Sequence, residues 1–289
     1  MTGGAIAQSI VNGLMSGAIY VLIALGLTLV LSITGIVQLA HGEIYMLGAY
    51  GAYYFCTVLG LHYILSVLIS TVLVGCFGIV LERVFYRPFR YGEFWPTVIM
   101  ATGIMLALQT LATVSFGSTT KVVSTPFAGI FKVGGVSISE ERVIIIGVSI
   151  VLVVACFLFI WKTKMGQAML AVSQNLQSAA LQGINANRVS AVAMFLGCGL
   201  ASVAGALMGA IFTLSPSMGG FALMKGIAVI ILGGMGSITG AVVGGVIIGL
   251  IDGIVPLLLD VHMANLISFA VIILVLVFRP TGIMGVPSQ

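Results

Sequence analysis

The chain has 289 residues, of which 60% are hydrophobic and only 6% charged, with a mean hydropathy of +1.27. Soluble globular chains carry roughly 25% charged residues, so the composition excludes a soluble enzyme and describes a multi-pass membrane protein with no soluble domain larger than a loop. The formal net charge of +4 reads as topological, since Lys and Arg concentrate on the cytoplasmic side; no nucleic-acid partner is expected.

Runs of about 20 apolar residues can span a bilayer. The pattern predicts an all-α membrane protein, a single transmembrane domain over residues 1–289. Spans are predicted near 10–34, 43–60, 62–81, 95–115, 142–161, 189–213, 238–255 and 263–279, about eight in all, plus a half-helix at 225–235. The opening MTGGAIAQSIVNG lacks the basic start and cleavage site of a secretory signal and reads as mature protein.

Taken in order, the first unusual stretch is SITGIVQLAHGEIYMLGAYG, residues 32–51, which puts Gln38, His41 and Glu43 inside apolar sequence. An ionisable group there is costly and normally faces a cavity or a partner. Two readings stand open: a pathway or gating role, or a structural one in which Glu43 caps or braces a broken helix. Arg83, Arg87 and Arg90 follow in one connection. The long loop at about 116–141 carries FKVGGVSIS, a β-branched alternation around Gly134-Gly135 that signals a small external β-hairpin.

Residues 162–188, KTKMGQAMLAVSQNLQSAALQGINANR, are too polar to span and too apolar for a free loop. Met169, Val172, Leu176, Ala179, Ala180 and Gly183 can share one helical face, as in a surface helix with an apolar side for a partner. Small residues then recur every four positions, Gly197, Ala201, Gly205 and Gly209, and later Gly245, Gly249 and Gly253. Such stripes support close helix packing, within a compact bundle and at a subunit interface. Between the stripes lies a second interrupted run, broken at Gly233, Gly234 and Gly236 beside Ser237. Free backbone groups in hydrocarbon cost several kcal/mol each, so this break is expected to line a cavity. Lys225 and Asp252 bracket it and read as interfacial anchors. Cys56, Cys76, Cys156 and Cys198 lie in or beside spans without ligand spacing and read as small core residues.

The basic connections, with Arg279, set the cytoplasmic side at 82–94 and 162–188. An external N-terminus and internal C-terminus are expected, with 225–235 dipping into the membrane and returning to the outer side.

Gln177-Ser178-Ala179-Ala180-Leu181-Gln182-Gly183 resembles the EAA loop of ABC importer membrane subunits. GIVQLAHGEIYMLGAY (35–50), ERVFYRPFR (82–90) and LGGMGSITGAVVGG (232–245) extend the resemblance over essentially the whole chain, to the branched-chain amino-acid permease family, in particular the smaller of its two paired permeases. Gln177 and Ser178 replace the motif's Glu and first Ala, so a salt bridge from that Glu is not expected here. The resemblance implies an importer subunit working with a second homologous permease, two cytoplasmic ATP-binding subunits and an external substrate-binding protein. It implies a substrate pathway at Gln38, His41, Glu43, Gly233, Gly234, Gly236 and Ser237, and ATPase coupling through Gln177, Ser178, Ala179, Gly183, Arg83 and Arg87. No cofactor is expected: the chain holds no G-x-x-x-x-G-K-[ST] phosphate loop, so partners must bind ATP. A related permease for urea or short amides is the alternative. A membrane-embedded enzyme would need a cluster of nucleophile, base or metal ligands, and three scattered His residues supply none. A passive channel would not need the 162–188 helix.

Overall fold

The computed structural model describes residues 3–90, 94–123, 125–127, 129–133 and 136–285. Its elements in order are α1 (Gly3–Thr34), α2 (His41–Tyr53), α3 (Tyr63–Leu81), α4 (Arg87–Phe89), α5 (Phe94–Phe116), β1 (Ile130–Val133), β2 (Val136–Ser139), α6 (Glu140–Lys162), α7 (Lys164–Gln174), α8 (Leu176–Leu181), α9 (Ala186–Met208), α10 (Met218–Gly233), α11 (Ile238–Leu258) and α12 (Val261–Phe278). Wider π-helical turns extend α2 through Tyr54–Val58 and join α3 to α4 through Glu82–Tyr86. The expected helical membrane bundle is present: among the described residues seven helices are long and apolar enough to cross a membrane, and α10 is a shorter apolar one.

Helix α1 is apolar on every face, which suits an element surrounded by others, and every residue from Ile19 to Val30 is buried. Helices α11 and α9 are its main neighbours, whereas α6 and α12 keep most of their apolar surface outward, as a bilayer-facing layer does. The small-residue stripes explain how the centre closes. A Cβ on Gly249 would stand 2.2 Å from Gly17 Cα, and one on Gly205 would stand 1.9 Å from the Tyr45 carbonyl oxygen. The stripes are therefore used inside this chain, joining α11 to α1 and α9 to α1 and α2, as the expected compact bundle requires.

The expected β-hairpin forms, with Ile130 opposite Ser139 and Val133 opposite Val136; its turn, Gly134-Gly135, lies outside the described residues. Ser137 N donates to Gln8 Oε1 at 3.1 Å, and Arg142 donates to Asn12. Lys121, on the loop leading into the hairpin, exchanges backbone bonds with the distant Leu214, at 3.1 and 2.8 Å. These contacts mark a hairpin end. At the opposite, basic end, Arg90 Nη1 donates to Asn187 Oδ1 at 3.3 Å and Ser32 Oγ to the Gly236 carbonyl at 3.5 Å.

That second contact corrects the expected path of 225–235. The segment is the later part of α10, which leaves the hairpin end after Leu214 and reaches the basic end beside Ser32; it does not return. Eight spans plus a returning half-helix would leave both chain ends on one side. The additional traversal by α10 is what brings Arg279 to the same end as Arg83. Helix α9 also stops at Met208, earlier than the expected 213, because the chain turns through residues 209–217 to start α10.

Candidate translocation site and coupling surface

The first interruption is real and lies deep in the bundle. Residues 35–40 are non-helical, and α2 starts at His41. The His41 ring atoms lie 3.1 Å from where a Cβ on Gly26 would be, and Gly26 packs on Gly197. Both glycines are mid-helix, so α2 begins at mid-depth and the preceding segment climbs back from the basic end. Irregular backbone survives at such depth only when covered by protein or facing a water-filled cavity; here Gln38, His41 and Glu43 are all buried. Gln38 uses both ends of its amide, Oε1 being 3.2 Å from His41 Nδ1 and Nε2 donating to Cys198 Sγ at 3.8 Å.

Glu43 occupies the first turn of α2, where the helix dipole favours a negative charge. The N-cap residue is Ala40 and makes no side-chain cap. The Glu43 carboxyl also reaches α10: a Cβ on Gly219 would stand 2.9 Å from Glu43 Cδ, and one on Gly42 would stand 2.1 Å from the Gly219 carbonyl oxygen. Two helix starts thus converge on one carboxylate, and its Oε2 is buried without a hydrogen-bond partner among the described residues.

Lys225 and Asp252 are not interfacial anchors. Lys225 is 3% exposed, and its Nζ lies 2.8 Å from Asp252 Oδ2 and Oδ1. Tyr20 donates its hydroxyl to the same carboxylate at 2.8 Å, Ser268 approaches at 3.5 Å, and the ammonium sits 5.7 and 5.6 Å from the Tyr20 and Phe221 ring centres. Asp252, Tyr20, Tyr45, Met208, Phe212 and Phe221 help line a cavity of ≈ 460 Å³ toward the hairpin end. Residues 225 and 252 stand in different helices, and only the antiparallel return of α11 along α10 joins them; the sequence signal was two opposite charges inside apolar runs.

The second interruption lies at the basic end. Gly234 has φ +108°, a conformation that side chains rarely adopt, and a Cβ there would stand 2.5 Å from Gly285 N. The last carbonyls of α10 are satisfied by the chain's own tail, Ile283 N donating to Leu232 and Met284 N to Gly233, each at 2.9 Å. Gly233 packs on Gly240, where a Cβ would come within 2.1 Å of the carbonyl oxygen. Ser237 caps α11 through Gly240 N at 3.0 Å. Gly233 and Gly234 form a tightly closed joint, while Gly236 is exposed and Ser237 half-buried; none of the four lines the cavity at Asp252 or the groove at Arg83.

At the same end α7 and α8 fold against the bundle. Thr163 caps α7 through Gly166 N at 3.0 Å and Asn175 caps α8 through Ser178 N at 2.9 Å. Met169, Val172 and Ala179 are buried with Leu29, Ile33 and Ile160, while Gln177 and Ser178 are exposed. Gly183 is not a close-packed position in this chain, since a Cβ there meets nothing within 4 Å. Its φ is +79°; Ile184 N bonds to the Ala179 carbonyl at 3.1 Å and Gly183 N to that of Ala180 at 3.0 Å, a left-handed helix stop for which glycine is preferred. Leu181, which pattern reading passed over, is 89% exposed. Arg87 is held by Glu82 at 2.6 Å and Arg90 by the same carboxylate at 2.8 Å, whereas Arg83 lines a groove beside them.

With this geometry in place, comparison with known proteins is decisive. Residues 9–276 match the family described as branched-chain amino acid transport system, permease component. This chain belongs to that family. It is 36% identical to the high-affinity branched-chain amino acid transport system permease protein BraD of Pseudomonas aeruginosa and 35% identical to LivH of Escherichia coli K12, in each case over 97% of this chain and 96% of the relative. A probable branched-chain amino acid transport permease protein, LivH of Methanocaldococcus jannaschii, is 26% identical over 92% of this chain and 88% of its own. Among solved structures, PsaBC from Streptococcus pneumoniae in complex with Fab covers 91% of this chain and 89% of its own with a TM-score of 0.50 and 11% identity, a likeness of fold alone. This family member is a multi-pass membrane protein and a transport permease.

Proposed function

We propose that this chain is the smaller permease subunit of an ATP-binding-cassette importer in the bacterial inner membrane, carrying branched-chain amino acids. Near-complete coverage of permeases bearing that name is the observation that carries the reading; none of the relatives favours urea or short amides. A second homologous permease completes the path, and an external binding protein delivers substrate at the hairpin end. Two ATP-binding subunits dock at the basic, cytoplasmic end, since this chain has no phosphate loop of its own. The coupling surface is α8, with Gln177, Ser178 and Leu181 outward and Ala179 anchoring it to the bundle. Substrate passes the cavity at Lys225 and Asp252 and then the mid-depth region of Gln38, His41 and Glu43. The joint at Gly233, Gly234, Gly236 and Ser237 sits at the inner end of that route.

The test is uptake of labelled Leu, Ile, Val and urea by vesicles reconstituted with all partners. ATP-dependent accumulation of the three amino acids, and not urea, is expected. Urea uptake without amino-acid uptake would overturn the substrate, and ATP-independent equilibration would overturn the pump.

A further inference from the structure

Around the α3–α4 turn and the start of α9 lies a groove of ≈ 640 Å³. Its rim is cationic: Arg83, Arg87 and Arg188 line it, and Arg90 stands next to it on Asn187. The neighbouring carboxylate, Glu82, is fully buried and already held by Arg87 and Arg90. Arg83 and Arg188 have no acidic partner among the described residues, and both are exposed. Below the rim, one to two turns along α3 and α9 toward the membrane centre, the wall becomes apolar with Ile79, Val192 and Phe195. The neighbouring surface of α3 and the turn after it is outward too, Val80 being 51% and Val84 57% exposed.

We infer that this groove binds an anionic phospholipid, with the phosphate on Arg83 and Arg188 and an acyl chain along Ile79, Val192 and Phe195. The order of the two surfaces carries the assignment. A soluble anion would use the arginines and leave the apolar wall without an occupant; a lipid has charge and hydrocarbon in the sequence the groove presents. Basic pockets between membrane helices at the cytoplasmic face hold anionic headgroups for this reason, and guanidinium is well suited to phosphate because its planar fork donates two parallel bonds. The inference moves Arg83 from the ATPase contact expected from sequence to a lipid contact, and it stands independently of the transported substrate.

The test is native mass spectrometry of the assembled transporter, purified in mild detergent and titrated with phosphatidylglycerol or phosphatidylcholine. Wild type should retain phosphatidylglycerol in preference to phosphatidylcholine, and millimolar inorganic phosphate should not displace it. Arg83→Gln with Arg188→Gln should weaken retention by about 30-fold, the loss of two basic contacts, while Arg83→Lys with Arg188→Lys should keep most of it. Unchanged retention in the Gln variant would overturn the site, as would displacement by free phosphate. Intact lipid binding with lost ATP-binding subunits would overturn it in favour of a protein contact.

Discussion

Lys225 Nζ and Asp252 Oδ2 meet at 2.8 Å inside the bundle, on helices α10 and α11, with Tyr20 of α1 donating to the same carboxylate. One pair of opposite charges therefore ties three helices together beside the cavity at the hairpin end. Breaking a buried pair by removing one partner typically costs about 3–5 kcal/mol, whereas replacing both with matched neutral groups is often near neutral. Asp252→Asn should sharply lower the thermal stability of the assembled transporter, and Lys225→Met combined with Asp252→Asn should restore much of it. If the double variant is stable but fails to transport, the charges act on the substrate as well as the fold. A single variant as stable as wild type would show that the pair does not hold the helices.

Helix α10 crosses from the hairpin end to the basic end, so accessibility to a membrane-impermeant thiol reagent should follow that path. In a cysteine-free background and intact cells, Val122→Cys, exposed on the loop before the hairpin, should label. Gln174→Cys on α7 and Met284→Cys beyond α12 should both resist until the membrane is opened. Labelling of Met284→Cys together with Val122→Cys would mean that α10 does return to its starting side.

The α1–α11 seam leaves no room for a side chain. Gly249→Val should destabilise the fold by at least the roughly 1–3 kcal/mol usual for overpacking, because its neighbours at Gly17 and Gly13 are backbone and cannot rotate away. Low yield of assembled complex, partly rescued at reduced temperature, is the expected readout. Wild-type yield and melting temperature would place α11 away from α1.

Gly234→Ala faces two penalties at once, a left-handed φ and a 2.5 Å approach to Gly285 N. A side chain held at a sparsely populated backbone angle alone costs of order 1–3 kcal/mol. The variant should melt earlier than wild type and lose uptake in proportion to lost complex. Lost uptake in a complex of unchanged stability would place the joint directly on the substrate route instead.

Leu181 is the outermost apolar side chain of α8, and contacts at a subunit interface concentrate in a few such anchors. Leu181→Glu should leave the permease folded, since its side chain touches little of its own chain, yet reduce substrate-stimulated ATP hydrolysis by about tenfold or more. Gly183→Ala should act more weakly, by straining the turn that ends α8. Normal coupling in Leu181→Glu would remove this surface from the ATPase contact.

Membrane class, most helix positions, the hairpin, the two interruptions and the family were legible in the sequence, for a physical reason. Hydrocarbon admits few charges and no unsatisfied backbone, so composition, span length and glycine breaks are written residue by residue along the chain. What stayed hidden depends on which helix lies beside which. Lys225 and Asp252 looked like separate anchors because pairing across 27 residues requires α11 to fold back along α10. Gly183 looked like part of an apolar helical face, although it lies past the end of α8 and its backbone angle, not a neighbour, demands glycine. The traversal of α10 was equally hidden, since 16 residues satisfy a half-helix or a short crossing alike. Contacts such as those of Gly226 with Ile23 and of Gly236 with Ser32 decide between them: local sequence sets where a helix starts and stops, while its neighbours set the side of the membrane on which it ends.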